Sequence, residues 1–306
     1  MLIKGEGGGY RLGGYREWPA PPALRAWVEV FWSYGAREAQ RGIVAGTRHR
    51  VIPETGVSLF VTSRSGRRGA VQDLGLWLMG PIVRSRMFAP DLRVRLDGVR
   101  FKIEACRPLL GLHPADHADA IDELPVLPTA RLRGAVRSLH AVRGQREIPR
   151  LLAVATGALV EARTPARAGG RAHALLERVR LRPHAPLRLA EQAAVLGASE
   201  RHIRRLVRET TGRGPKYFHR VRRFQHAVSL GDSAWRPRWS MVAASAGYVD
   251  QAHLIREFRD LTGLTPSALH AERRAQQSGG GGHQQSHGAD PTWARMAGFS
   301  NRCEVG

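Results

Sequence analysis

The strongest constraint on how this chain folds is an internal repeat near its C-terminal end. "HIRRLVRETTGRGP" starts at His202 and "HLIREFRDLTGLTP" starts at His253, an offset of 51 residues that also lays Arg205 on Arg256, Arg208 on Arg259, Gly212 on Gly263 and Pro215 on Pro266. Each copy follows a short Ala-rich stretch and a Gly, "LAEQAAVLGASE" before the first and "MVAASAGYVDQ" before the second. A short apolar helix, a Gly-containing turn and a second helix with Arg at fixed places is the layout of a helix-turn-helix. The repeat therefore predicts two such units in tandem.

Individual side chains fill in the pattern. In the first unit Leu189, Ala193, Ala194 and Leu196 form an apolar stripe, and Gly197 supplies the turn because Gly takes positive φ without steric cost. Ser199 is the expected N-cap of the next helix, which buries Ile203, Leu206 and Val207 and leaves Arg201, Arg204, Arg205 and Arg208 on its other faces. In the second unit Val242, Ala243 and Ala246 form the stripe, Gly247 the turn and Asp250 the cap. Leu254, Phe258 and Leu261 then make the core of a helix whose exposed N-terminal part holds Gln251, Ala252, His253, Ile255 and Arg256. Residues 216–230 between the units read as a linking helix led by Pro215, with Phe218, Val221, Phe224 or Gln225, and Val228 at a period near 3.6. Its other face, with Lys216, Arg220, Arg222 and Arg223, is either a solvated charged face or a row of phosphate contacts.

The second helix of such a unit enters the DNA major groove with its N-terminal end at the base edges. The Arg fork can hold guanine O6 and N7 or clamp a phosphate, Gln251 can pair with adenine, and Ala252 or Ile255 can pack on a thymine methyl. Double-stranded DNA is the expected partner. A net charge of +22 agrees with a polyanion. That charge is divided about equally before and after residue 171, however, so it marks no localised footprint and argues less than the repeat does.

From about residue 171 to 271 the sequence resembles the DNA-binding domain of the AraC/XylS family of bacterial transcription regulators. The most specific stretch is "AASAGYVDQAHLIREFRDLTGLTPSAL" at residues 243–269, which follows the family signature almost position for position. The resemblance implies seven helices, two helix-turn-helix units and a linking helix. It places Arg201, Arg204 and Arg205 of the first unit, and Gln251, Ala252, His253 and Arg256 of the second, at base-facing positions. Arg201 stands where family members often carry an aromatic or aliphatic residue. The implied partners are an operator DNA, RNA polymerase, a small-molecule effector and a second copy of the chain.

Residues 17–127 read as mostly β, with short runs such as "VSLFVTS", "LGLWLMG" and "LRVRLDGVRFKIEA" broken by Gly, Pro and Asp-Gly signals. Asp97-Gly98 reads as a hairpin turn. The succession "ALRAWVEVFWSY", "HRVIPETGVSLFV", "GPIVRS" and "GVRFKIEA" resembles the cupin-like sensing region of one branch of these regulators. His49 and Glu54 are residue types of a cupin metal site, but its second and third His are missing. His113 and His117 stand beside Asp116 and Asp119, with Pro114 between the two His favouring a loop over a metal-binding helix face. Cys106 reads as a small core residue, and Trp27, Phe31, Trp32 and Trp77 either line a ligand pocket or pack as plain core.

The fold class expected is α+β, a mostly-β barrel-like N-terminal domain with a helical appendage and an all-α C-terminal domain. The expected division is a flexible N-terminus at 1–16, a sensing or dimerisation domain at 17–162, a linker at 163–172, the DNA-binding domain at 173–274 and a disordered tail at 275–306. Two bridging helices, residues 129–142 and 148–162, either make a dimer contact or pack on their own domain. No nucleophile-base set or phosphate loop is present, so neither catalysis nor a cofactor is expected; the alternative is a metal-dependent cupin-type enzyme fused to a DNA-binding domain, which bound metal would reveal. The start of the chain has no apolar signal region, and the longest apolar run, residues 151–160, is too short to cross a bilayer. With Cys106 and Cys303 making no disulfide framework, a cytoplasmic protein without membrane partners is expected.

Overall fold

A computed structural model describes residues 11–12, 15–35, 48–65, 71–88, 94–124, 148–161 and 170–277. The N-terminal part is built on strands β1 (Arg11–Leu12), β2 (Tyr15–Pro19), β3 (Val28–Tyr34), β4 (His49–Val51), β5 (Val57–Ser65), β6 (Val71–Met79), β7 (Arg86–Phe88), β8 (Val94–Phe101) and β9 (Ile121–Glu123). Seven of them form one antiparallel sheet in the order β1-β2-β3-β8-β5-β6-β9, and β4 pairs with β7 as a separate ribbon. The sheet is open, with β1 and β9 at its ends, so the expected barrel does not close among the described residues. β2 begins at Tyr15, inside the segment expected to be flexible.

Strand alternation sorts the side chains onto two faces, and both are covered. One face carries Phe31, Leu59, Val61, Val99 and Phe101, packed on helix α1 (Ile148–Glu161) through Ile148, Leu152, Ala155 and Leu159. The second bridging helix thus packs on its own domain, and the first, at residues 129–142, lies outside the described residues. Trp27 and Cys106 belong to this same core, and burial pushes the Cys106 thiol up. The other face carries Trp32, Tyr34, Phe60, Trp77 and Leu96 beneath Ile82 and the ribbon residue Phe88.

Asp97-Gly98 is not a turn. Both residues lie in mid-strand β8, where Gly98 pairs with Trp32 on one side and Phe60 on the other. A Cβ at Gly98 would lie 2.4 Å from Trp32 Cε2, so the glycine is a notch that lets the indole lie flat on the sheet. Asp97 is satisfied within the sheet by Arg95, at 2.7 and 2.8 Å. The dipeptide that favours a hairpin serves close approach here, because tertiary packing outranks local turn preference.

The C-terminal part has seven helices: α2 (Arg171–Leu181), α3 (Leu189–Val195), α4 (Glu200–Thr211), α5 (Pro215–Asp232), α6 (Trp239–Ser245), α7 (Gln251–Thr262) and α8 (Pro266–Gln277). α2 starts inside the expected linker, and α8 extends three residues into the expected tail. The repeat folds twice: α3 and α6 each have 7 residues, and α4 and α7 each have 12. Gly197 (φ 60°) and Gly247 (φ 77°) make the turns, as positive φ requires. The two caps form as read, Ser199 accepting from His202 N at 3.2 Å and Asp250 from His253 N at 2.6 Å. Within the first unit Ala194 is exposed, while Leu196 and Leu206 are only half-buried.

α5 is 18 residues long, outrunning residues 216–230 at both ends. Its first half gives Phe218 to a core shared with Leu175, Leu176, Ile203 and Val207. Its second half gives Phe224, Ala227 and Val228 to a core shared with Val242, Leu254, Phe258 and Leu261.

Two glycines should respond in opposite senses to the same added methyl. Gly98→Ala forces the Trp32 ring off the sheet and should cost about 1–3 kcal/mol. Gly157→Ala, in helix α1 with nothing within 4 Å of the new Cβ, should gain about 0.5–1 kcal/mol. Urea unfolding of both variants measures the contrast.

Candidate nucleic-acid interface

The expected base-facing residues lie on the first two turns of α4 and α7, with Arg208 in the last turn of α4. Arg201, Arg204, Arg205 and Arg208 on α4 are exposed, as are Gln251, Ala252 and Arg256 on α7. His253 and Ile255 are half-buried, with the His253 ring edge-on to Tyr248 at 5.2 Å. Arg204 pairs with Glu200, one turn back on its own helix, and Arg205 lies 3.8 Å from Glu209. Exposed pairs of this kind contribute about 0.3–0.5 kcal/mol, so a phosphate or a guanine edge can displace them.

The opposite ends of the same two helices are capped by the N-terminal domain. The last carbonyls of a helix lack partners within it. At the end of α4, His113 Nε2 donates to the Glu209 carbonyl at 2.9 Å. Gly212 (φ 74°) closes that helix so tightly against Ala115 that a Cβ there would lie 2.3 Å from the Ala115 Cβ. At the end of α7, Ser85 N donates to the Leu261 carbonyl at 2.9 Å, and Ser85 Oγ and Arg50 Nη1 reach the Thr262 carbonyl at 3.1 and 3.3 Å. His113 precedes and His117 ends a short 3-10 turn, Pro114–His117, in agreement with the loop reading.

The cations of α5 divide by partner. Lys216 is exposed. Arg223 binds Glu257 of α7 at 2.9 Å and stacks 4.3 Å above the Tyr248 ring, and Arg220 reaches Asp260 at 3.0 Å. Arg222 turns to Glu29 of β3 at 3.3 Å. Three of the four cations on that face thus tie α5 to α7 or to the N-terminal sheet.

Glu29 also receives Arg180 of α2 at 3.3 Å. Burial pushes the Glu29 carboxyl up, but Arg222 and Arg180 outweigh it and hold the group below its ordinary value. Nearby, Glu104 accepts from Arg180 and lies 3.2 Å from His173, and Lys102 meets Glu177. Burial raises Glu104, yet His173 and Arg180 bring it down to about 2. Glu104, His173 and Glu177 are the metal-capable group among the described residues, but Arg180 and Lys102 already neutralise these carboxylates. His49 and Glu54 take no part in it. His49 is buried and shares a 3.2 Å hydrogen bond with Tyr34.

Between the aromatic face of the sheet, the ribbon and helices α5 and α8 lies a cavity of about 560 Å³. Trp32 borders it, whereas Trp77 lies deeper and donates to Thr62 Oγ1 at 3.0 Å; Trp27 and Phe31 are core of the other face. The sequence reading missed the capping roles of Arg50, Ser85 and His113 and the acids Glu17 and Glu29, and it took Glu54 only as a residue type of a metal site. The acids left a trace as charges inside otherwise apolar runs such as "WVEVFW", whereas the caps contact backbone atoms and left none.

Residues 192–272 match the family model HTH_18, described as a helix-turn-helix domain, and residues 16–121 match a domain of unknown function, DUF6597. No curated protein sequence matches the chain. Among solved structures, ToxT from Vibrio cholerae O395 is similar at 10% identity and a TM-score of 0.40, over 74% of this chain and 96% of that one. The same protein bound to (E)-4-(8-methylnaphthalen-1-yl)but-3-enoic acid gives 12%, 0.41, 74% and 97%. Unsaturated fatty acid bound wild-type ToxT from Vibrio cholerae strain SCE256 gives 9%, 0.39, 73% and 93%. These likenesses are distant. By its repeat, its helix geometry and the family match, the chain carries a helix-turn-helix domain over residues 192–272.

Proposed function

We propose that the chain is a sequence-specific transcription regulator that reads DNA with both helix-turn-helix units in successive major grooves, under the control of a small molecule bound by the N-terminal domain. The observation that carries this reading is the exposure of matching first turns on α4 and α7 in one domain whose two cores share α5. At ~1.5 Å per residue an 18-residue helix spans ~27 Å, against ~34 Å between major-groove segments on one face of DNA. The turns at each end and modest DNA bending supply the difference. Arg201, Arg204, Arg205 and Arg208 in one groove, and Gln251, Ala252, His253, Ile255 and Arg256 in the next, present different chemistry, so the two recognition clusters differ. Lys216 is the phosphate contact on the linking helix. Control by the N-terminal domain is supported by the cavity it shares with α5 and α8 and by its caps on both reading helices.

Selection from a randomised operator pool tests the assignment. Arg205→Ala and Arg256→Ala should each cost about 1–3 kcal/mol and relax preference at one cluster of bases, a different cluster for each. Lys216→Ala should weaken all sequences about equally. Unchanged preference in both Arg variants refutes the roles given to α4 and α7.

Spacing gives a second test. Five base pairs inserted between the clusters should abolish tight binding by the full chain, and ten should not restore it, because the shared helix cannot stretch by a further turn of DNA. Footprints with a single short cluster per monomer mean that one unit alone reads bases.

A further inference from the structure

We propose that the cavity between the aromatic sheet face and the DNA-binding helices takes an organic cation, an ammonium-type head on an apolar or aromatic body, with Glu54 as its counter-charge and Trp32 as its ring contact. The inference rests on the reading of the N-terminal domain as a small-molecule sensor and names the class of molecule sensed. At about 560 Å³ the space has the size of a small-molecule site. Its floor is a run of tilted rings, Tyr15 to Trp32 at 5.9 Å and Trp32 to Phe60 at 5.5 Å, the kind of surface whose π faces attract a desolvated cation.

Charge bookkeeping around the walls decides the sign of the ligand. Most of the lining cations are held by carboxylates: Arg180 and Arg222 share Glu29, Arg180 also meets Glu104 and Glu177, Arg273 meets Asp232, Lys102 meets Glu177 and, on the ribbon, Arg50 meets Glu272, while the exposed Arg25 gives its Nε to the Ala20 carbonyl. On the sheet side two carboxylates share one guanidinium. Arg100 gives a 2.7 Å hydrogen bond to Glu17 and a 3.0 Å one to Tyr15. Its Nε sits 2.7 Å from Glu54 Oε1 but is misaligned, so that both atoms are buried without a hydrogen-bond partner. Trp32 Nε1 is likewise a buried donor with no partner, open to an acceptor oxygen on a ligand. At the Trp32 floor an anion would meet Glu54 and Glu17 with the one Arg100 guanidinium between them; a cation there would complete that local deficit.

The ionisation of Glu54 agrees. Burial pushes its carboxyl up to about 7, the Arg100 attraction offsetting only part of that and Glu29 and Glu17 adding to it, with Arg222 opposing them. The other titratable groups facing it are the Tyr15 hydroxyl, which burial raises, and His49 and His226, both held below their ordinary values by burial. Glu54 is therefore the group at the cavity that gains charge between pH 6 and 8, and a bound cation favours the charged form.

Calorimetric titration of the full chain with benzyltrimethylammonium, its neutral analogue 2-methyl-1-phenylpropan-2-ol and the anion phenylacetate is the test. The cation is expected to bind at least about tenfold more tightly than either other probe, and more tightly at pH 8 than at pH 6. Glu54→Gln should bring cation and neutral analogue to similar affinity and remove the pH trend, and Trp32→Leu should weaken the cation more than the neutral analogue. Tighter binding of phenylacetate, no saturable binding by any probe, or discrimination unchanged in both variants overturns the proposal. If Glu54→Gln does not fold, the probe series on the unaltered chain and on Trp32→Leu decides alone. The same preparations are titrated with selected operator DNA: retained DNA binding beside failed cation binding overturns the ligand class only, and loss of specific DNA binding by the unaltered chain overturns the regulator reading instead.

Discussion

Helix α5 is the member on which everything else depends, because it gives one aromatic to each of two cores. Phe218 closes the core of the first helix-turn-helix pair and Phe224 that of the second, and both rings are fully buried. Two short units of this size bury little apolar surface alone and gain stability by sharing a wall. The shared wall also fixes their separation and relative rotation, since a helix interior resists both stretching and twisting. The charged side of α5 adds to this: Arg223 and Arg220 bind α7, and Arg222 binds Glu29 of the sheet. One helix thus sets the distance between reading heads and touches the domain that carries the cavity.

Legibility in the sequence followed the range of the forces involved. The turns at Gly197 and Gly247, the caps at Ser199 and Asp250 and the apolar stripes of α4 and α7 are decided within a few residues, and a repeated phrase exposes them twice. Exposure of the Arg residues on α4 follows from the same periodicity. Asp97-Gly98 shows the opposite case, in which a turn-forming dipeptide lies mid-strand because an indole from a neighbouring strand needs the missing side chain. The open sheet was hidden for a related reason: strand runs announce pairing and alternation, but closure depends on which edges meet. The arginines of α5 were ambiguous because a charged face looks alike whether it meets water, phosphate or a carboxylate 193 residues away, as Arg222 meets Glu29.

The candidate site divides in the same way. Its helical half lies on the repeat and was legible residue by residue. The cavity was not, since it is assembled from β2, β3 and β8 together with helices far along the chain, and its most informative atoms, Glu54 Oε1 and Trp32 Nε1, matter for the partners they lack. Acidic residues inside apolar strands were the visible trace. A lone Glu in a strand of Val, Phe and Trp costs too much to bury without a counter-charge, so each one points to a long-range partner or a ligand.

The grip of the N-terminal domain on the reading helices is made largely with main-chain atoms. Glu209, Leu261 and Thr262 are held by their carbonyls, and Gly212 by its want of a side chain against Ala115. Carbonyl groups are the same in every amino acid. The exposed first turns of α4 and α7 can therefore accumulate substitutions while the docking of the N-terminal domain stays intact. The cavity is less free, since Arg50 both lines it and reaches the Thr262 carbonyl. The surface that α4 and α7 expose is thereby free to diversify along a lineage while its junction with the N-terminal domain persists, because on the helical side that junction is made by carbonyls that side-chain substitution leaves in place.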